Sequence, residues 1–250
     1  MSLSYAILTL NEAAEIGDCI RSLGPAEELL LLDSGSADGT LEQARAAARG
    51  MPFALRIAQH PFRDYADQRN AALGLLRTEW VFFVDADERS SPEQTAEVAA
   101  RTAGPDAPAG FWVPRANIIF GHRMRYTGWS PDYQLRLFRV KRGRYDPSRP
   151  VHELVQLDGR VEHLHTRLVH YNYRRVPQFF SKQRRYARQE ARQRRLAGER
   201  ARPRALLSMP VREFIWRYYA LSGWRDGGHG LLLSLLMGWY RLLVVWGMRR

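Results

Sequence analysis

The pair Asp85-Ala86-Asp87 stands directly after the apolar run Val81-Phe82-Phe83-Val84. In an extended backbone, residues two apart share a side, so both carboxylates face one way. Hard divalent cations such as Mg²⁺ or Mn²⁺ are held in this manner when they also bridge phosphates. An isolated Asp-x-Asp is commonly a solvated surface pair, but at the end of a buried strand it faces a cleft. A second cluster, Asp33-Ser34-Gly35-Ser36-Ala37-Asp38-Gly39-Thr40, follows another apolar run. Its glycines permit tight turns, and its carboxylates can accept hydrogen bonds from a base or a ribose. Asp33 with Ser34 is assigned to a ligand and Asp38 to a helix cap. Thr9, Asn11 and Glu12 follow the first apolar run, and Arg69, within Gln68-Arg69-Asn70, is placed to meet a pyrophosphate through charge-assisted bonds.

The elements that must position these residues are legible as short apolar runs. Leu3 to Thr9, Leu29 to Asp33 and Trp80 to Asp85 read as strands buried on both faces. Helical spacing intervenes at Ile16, Ile20 and Leu23, and again at Leu41, Ala44 and Ala48 with Gly50 as the stop. The alternation predicts an α/β fold with a mostly parallel sheet. In such sheets ligands collect beyond the carboxyl ends of the strands, where all three polar clusters fall. Ser91-Pro92-Glu93 opens a helix running to about Thr102, and the loop Pro105 to Pro108 is a candidate seam. From Gly110 short β-like runs predict an antiparallel or mixed extension: Phe111 to Val113, Gln134 to Phe138, Leu154 to Leu157 and Leu168 to Tyr173. Trp112, Trp129 and Tyr133 are candidates to stack on a ligand, although aromatics in strand-like runs are more often core.

Charge divides the chain. Residues 1 to 110 carry 9 arginines against 17 carboxylates, whereas residues 111 to 250 carry 29 cations against 9. The basic part suggests an anionic partner, a membrane surface, phosphorylated lipid or nucleic acid, and the sign alone does not choose. Residues 176 to 202 read as a basic helical stretch, exposed on its charged face, that serves as a solvated surface or meets anionic lipid or nucleic acid. The tail from Leu231 to Met248 has the length to span a bilayer, but Ser234, Gly238 and Arg241 interrupt it. With Trp216, Trp224, Trp239 and Trp246 beside arginines, in-plane attachment is predicted, against a helix packed on the rest of the fold. The single cysteine, Cys19, fits a buried spacer in a reducing compartment, and the apolar run from Leu3 without a charged leader predicts a cytoplasmic protein.

In order along the chain, Leu8-Thr9-Leu10-Asn11-Glu12, Asp33-Ser34-Gly-Ser-x-Asp38-Gly-Thr40, Gln68-Arg-Asn-Ala-Ala-Leu73 and Asp85-Ala-Asp-Glu88 resemble the motifs of family 2 glycosyltransferases. Gly128-Trp129-Ser-Pro131-Asp132-Tyr-Gln134-Leu-Arg136-Leu-Phe138-Arg139 and Val151-His152-Glu153 resemble its lipopolysaccharide core β-glucosyltransferase branch. The likeness covers residues 3 to about 175 well and the tail loosely. It implies a GT-A fold over residues 1–175, with a nucleotide-sugar half (1–110) and an acceptor half (111–175), followed by a helical membrane-associating region (176–250). It further implies a nucleotide-diphosphate sugar donor, with UDP-hexose favoured, inversion at the anomeric carbon, and a lipid-linked or phosphorylated saccharide acceptor.

By the same resemblance, Thr9, Glu12 and Asp33 contact the nucleotide, and Asn11 and Ser34 join them by their place after the strands. Arg69 lies on the donor side, Asp85 and Ala86 meet the nucleotide sugar, and Asp87 with Asp85 holds Mg²⁺ or Mn²⁺. Asp132 is the general base, with Trp129, Gln134 and Arg136 on the acceptor side. His152 completes the metal site, with His170 as rival. The implied location is the cytoplasmic face of the inner membrane, peripheral, with no nucleic-acid partner. Two other readings compete: a nucleotidyltransferase, for which Leu8 to Glu12 lacks the usual glycine-rich basic loop, and a non-enzymatic basic binding module, for which no RNA-binding motif appears.

Overall fold

The computed structural model of the chain describes residues 2–104, 106–146 and 155–249. The chain forms two compact units, Met1–Arg115 with Tyr133–His170, and Ala116–Asp132 with Tyr171–Arg250. In the first unit strands and helices alternate: β1 (Leu3–Thr9), α1 (Ile16–Ser22), β2 (Glu28–Asp33), α2 (Thr40–Ala47), β3 (Ala54–Gln59), α3 (Tyr65–Leu75) and β4 (Trp80–Phe83). These strands pair in parallel in the order β3-β2-β1-β4.

Residue parity explains why an uninterrupted leucine run becomes a strand. Leu29 and Leu31 enter one hydrophobic cluster with Tyr5, Ile7, Trp80 and Phe82, while Leu30 and Leu32 enter a second with Ala6, Val81 and Phe83. A sheet covered on both faces takes every side chain of such a run, whereas leucine's own preference is helical. Truncating a fully buried aromatic such as Phe82 is expected to cost roughly 3–5 kcal/mol. β3 escapes the sequence pattern because its residues are half-exposed at the edge of the sheet.

Beyond β4 come β5 (Glu88–Arg89), α4 (Pro92–Thr102), β6 (Gly110–Ile119), β7 (His122–Arg123) and β8 (Tyr133–Arg139). The last strands are β9 (Gly143–Tyr145), β10 (Val155–Leu157), β11 (Val161–His163) and β12 (Leu168–Tyr173). α4 starts as its sequence dictates, with Pro92 in the first turn and the Ser91 side chain accepting from the Gln94 N–H at 3.2 Å. β8 runs antiparallel to β4 and to β6, and β11 lies parallel to β6, so the sheet becomes mixed.

The second unit gathers α5 (Val176–Leu196), α6 (Ala205–Ile215), a π turn at Trp216–Ala220, a 3₁₀ turn at Gly223–Asp226 and α7 (Gly227–Gly247). α5 buries Phe179, Gln183, Ala187 and Ala191, one residue per turn, and leaves its arginines on the other faces. Its core joins Phe179 to Ile119, Met124, Tyr173, Leu233, Leu236 and Met237. Gly230 of α7 sits against the Gly223 carbonyl so closely that an added Cβ would lie 1.8 Å from that oxygen. Residues 116–132 belong to this unit, although they fall between β6 and β8 in sequence, because residues 217–226 bond directly to them.

Candidate active site

The parallel register of β1 and β2 pairs Thr9 with Asp33, and the Thr9 hydroxyl donates to Asp33 Oδ1 at 3.0 Å. Asp33 is fully buried and also accepts from the Ser36 hydroxyl at 2.5 Å and from the Gly35 and Ser36 N–H groups at 3.0 Å. Burial opposes its charge, but these donors outweigh that and hold the carboxyl below its ordinary value. Four bonds use the lone pairs of a carboxylate, so Asp33 shapes its own loop. Asn11, at φ 57, accepts from the Ala37 N–H through its side chain at 2.9 Å, and its own N–H donates to Ser36 Oγ at 2.9 Å. The Glu12 N–H donates to Thr40 Oγ1 at 2.8 Å, and the Ser34 N–H to the Thr9 carbonyl at 2.9 Å. Asp38 bonds the Thr40 and Ala13 N–H groups, each at 3.1 Å, as a loop brace ahead of α2.

Asp85 through Glu88 forms a turn, where the spacing had suggested extended backbone. The Glu88 N–H closes on the Asp85 carbonyl at 2.9 Å, and the Glu88 carboxylate accepts from the Asp85 N–H at 2.9 Å. Arg89 donates to the Ala86 carbonyl at 2.8 Å, and buried Cys19 to the Asp85 carbonyl at 3.4 Å. Burial pushes the Cys19 thiol up, so it stays protonated as a spacer. The turn gives the two carboxylates different partners. Asp85 takes both guanidinium nitrogens of buried Arg136, with Nη1 at 2.8 Å from Oδ1 and Nη2 on Oδ2. Arg69 Nη2 stands 3.6 Å from Oδ1. Burial again opposes ionisation, and Arg136, Arg69 and Arg115 outweigh it, holding the Asp85 carboxyl far below the usual range.

Arg136, read from sequence as an acceptor-side residue, is thus the forked partner of Asp85. It lies beside Leu137, which pairs with Phe82 in the β4–β8 register, three residues before Asp85. Arg115 Nη1 reaches Glu88 at 3.2 Å, and Arg69 lies over the rings of Phe83 and Tyr145 at 5.0 and 5.5 Å. Glu88 is completely buried, and neither it nor Arg115 stood among the chosen site residues. The signal for Glu88 was its place within the Asp85 motif; Arg115, on a long strand, offered none.

His170, the rival in the sequence reading, faces Asp87, with Nε2 at 3.5 Å from Oδ2. The cause is the antiparallel pairing of β5 and β12, which sets His170 opposite Glu88. His152 lies outside the described residues. Among the described residues no group of three or more His, Cys, Asp or Glu could hold an ion. One carboxylate and one imidazole nevertheless suit Mg²⁺ or Mn²⁺ where phosphate oxygens and water fill the other positions. Gln134 pairs in register with Val113, and Trp112 and Tyr133 both pack on the His163 ring, at 6.4 and 5.0 Å.

Asp132 belongs to the second unit. Its Oδ2 accepts from buried Asn117 Nδ2 at 3.0 Å, and the same amide donates to the Trp129 carbonyl at 2.8 Å. Trp129 packs edge-on to Tyr173 at 6.2 Å.

The sequence model described as Glycosyl transferase family 2 matches residues 4–152. The chain is similar to the lipopolysaccharide core biosynthesis glycosyltransferase LpsC of Rhizobium meliloti (strain 1021), with 33% identity over 251 residues, covering 97% of this chain and 90% of that protein. A shorter likeness, 31% over 97 residues, joins it to an uncharacterized glycosyltransferase of Rickettsia bellii (strain RML369-C), covering 38% of this chain and 31% of that one. Among solved structures, S. aureus TarS 1-349 matches with a TM-score of 0.51 at 15% identity, covering 98% of this chain and 90% of that chain, a likeness of fold.

Proposed function

The chain belongs to glycosyl transferase family 2 and is a glycosyltransferase of GT-A fold, and on that premise we propose that it moves a hexose from a UDP-hexose to a lipid-linked saccharide of the lipopolysaccharide core, with inversion. The nucleotidyltransferase and non-enzymatic readings fall with that membership. The observation that carries the proposal is the braced Asp85–Glu88 turn, where buried arginines hold Asp85 while Asp87 faces His170. The similarity to LpsC supports the acceptor class.

In this reading Thr9, Asn11, Glu12 and Ser34 line the nucleotide, and Asp33 fixes the loop that does so. Asp85 and Ala86 meet the nucleotide sugar, and Arg69 stands on the diphosphate side. Asp87 and His170 would hold Mg²⁺ or Mn²⁺, which when bound offsets charge on the departing diphosphate. Asp132 takes the proton of the acceptor hydroxyl as its oxygen attacks, and one base suffices for single displacement with inversion. Asn117 orients that carboxylate. Trp129 and Gln134 stand on the acceptor side, and Arg136 acts through Asp85. An Asp132→Asn variant is expected to keep donor binding and lose transfer by about 10²–10⁴-fold.

The second unit rests on the cytoplasmic face of an anionic membrane, in plane. Gly223–Gly247 is long and apolar enough to cross a bilayer, yet 44% of its apolar window is buried inside the protein's own fold. Arg241 of α7 pairs with Glu190 and Glu213 at 3.0 and 3.3 Å, which favours lying on the membrane over spanning it. An open groove of about 720 Å³ along α5, lined by Phe180, Lys182, Arg184, Arg185 and Arg188 among others, suits anionic headgroups.

The test is nucleotide release from a panel of nucleotide sugars with Mn²⁺ or Mg²⁺, in the presence of lipid-linked saccharide, with Asp87→Ala as control. Metal-dependent UDP release that the variant loses supports the proposal. Turnover of another nucleotide's sugar alone would overturn the donor assignment, and release unchanged in Asp87→Ala would overturn the site.

A further inference from the structure

The connection from α6 to α7 grips the loop that precedes Asp132. Asp226, 7% exposed, accepts from the Arg125 N–H at 3.2 Å, the Tyr126 N–H at 2.9 Å and the Thr127 hydroxyl at 3.2 Å. Arg217 Nη1 donates to the Thr127 carbonyl at 2.7 Å, and the Thr127 N–H donates to the Leu221 carbonyl at 3.2 Å. Arg225 lies over the Tyr126 ring at 4.6 Å. Thr127 is buried at φ 65, a left-handed conformation that a β-branched residue adopts only when its surroundings impose it. The Trp129 N–H then bonds the Tyr126 carbonyl at 3.1 Å, and Asn117 fastens both Trp129 and Asp132. A continuous set of bonds therefore runs from Arg217 and Asp226 to the Asp132 carboxylate.

The same connection exposes Trp216, Tyr219 and Trp224 across 49%, 62% and 56% of their surface. They continue an apolar exposure formed by Leu207, Val211 and Ile215 of α6. Large amphipathic aromatics beside arginines suit the headgroup zone of a bilayer. Residues 216–220 form a π turn, a local departure from helical bonding that recurs where helices carry function.

We infer that residues 216–226 couple an anionic bilayer to the loop at 124–132. Trp216, Tyr219 and Trp224 enter the headgroup zone, and Arg217, Leu221 and Asp226 hold the loop that presents Asp132. Arg217 and Asp226 are positioning residues for Asp132. Docking the aromatics restricts the connection, so each bond from it to the loop opens less often. The base is thereby set where a lipid-linked acceptor arrives. This inference rests on the bilayer attachment and the role of Asp132 proposed above.

Hydrogen exchange read by mass spectrometry on the full chain tests it, with co-sedimentation measured in parallel. The conditions are no lipid, phosphatidylcholine vesicles, and phosphatidylcholine vesicles containing phosphatidylglycerol. On the anionic vesicles the amides of Arg125 to Thr127 are expected to exchange about tenfold more slowly, with those of β1 unchanged. Because the aromatics are about half exposed, a Trp216→Ser, Trp224→Ser double variant is expected to keep its fold, checked by unchanged loop exchange without lipid, and to sediment through α5 while losing the slowing. Asp226→Asn is expected to speed loop exchange with and without lipid and to lower kcat for transfer while the KM for the nucleotide sugar holds, and Asp226→Glu is expected to restore part of both. Sedimentation with unchanged loop exchange overturns the coupling and leaves the attachment standing. Absence of sedimentation overturns the attachment, and the coupling with it.

Discussion

In the first unit the guanidinium groups of Arg69, Arg115 and Arg136 turn inward onto Asp85 and Glu88, whereas Arg184, Arg185, Arg188, Arg192 and Arg195 of α5 turn outward to solvent. The inward set is buried or nearly so and already paired, so its geometry exists before any ligand arrives, which is what stabilising a diphosphate leaving group demands. The outward set is hydrated and spaced along a helix, suited to an extended anionic surface with no fixed contact points. Cations of one type are thus fixed around two carboxylates in one unit and spread over an exposed face in the other. The apolar residues make the same contrast. Those of the first unit's sheet are sealed in two clusters, while α6, α7 and the turns that connect them leave Leu207, Trp216, Tyr219, Trp224 and Leu235 exposed.

The contrast breaks most sharply at Asp87. Asp87→Ala is expected to lower metal-dependent nucleotide release on the order of 10³-fold with vesicle binding unchanged, checked by steady-state turnover and sedimentation side by side. Next, replacing Arg184, Arg185 and Arg188 together by Gln should weaken binding to anionic vesicles by about 3 kcal/mol, roughly a hundredfold, near 1 kcal/mol per cation. Donor turnover without lipid should hold. His170→Ala should weaken the apparent affinity for Mn²⁺ by about 10–100-fold, read from metal titration of turnover. Arg136→Lys tests the inward set directly, since it keeps the charge and loses the fork, and should cost about tenfold in donor affinity by calorimetric titration.

The smallest expected effect lies in the second unit's own ion network. Burial raises the Glu190 carboxyl, but the Tyr240 hydroxyl, Arg241 and Arg194 outweigh it and hold it below its ordinary 4.5. A depressed folded-state value means the stabilisation is fully present above 4.5 and is lost as pH falls through the folded value. Glu190→Gln should therefore lower stability at neutral pH by about 1–3 kcal/mol in urea unfolding. The difference from the parent should vanish once acid has protonated Glu190.

The same contrast explains what sequence could and could not reveal. Strands β1, β2 and β4 were legible because a strand buried on both faces leaves an uninterrupted apolar run. β3, at the sheet edge, leaves none. The Asp85 and Asp33 motifs were visible as residue types at strand ends, but their geometry was not. The turn at Asp85–Glu88 depends on Cys19 and Arg89, and Arg136 reaches Asp85 only through the pairing of β8 with β4. His170 is brought to Asp87 by a β5–β12 register that no local pattern encodes. The basic face of α5 was plain from composition. The grip of Asp226 on Arg125, Tyr126 and Thr127 spans about a hundred residues and became visible only when the helices were folded.

The division of labour between the two units is tested most directly by titrating UDP into the full chain in the presence of Mn²⁺ and without lipid, by calorimetry. The account predicts saturable binding that Asp87→Ala abolishes and that Asp132→Asn and the three-arginine variant of α5 leave unchanged. Binding that survives Asp87→Ala, or that disappears with the α5 arginines, would contradict it.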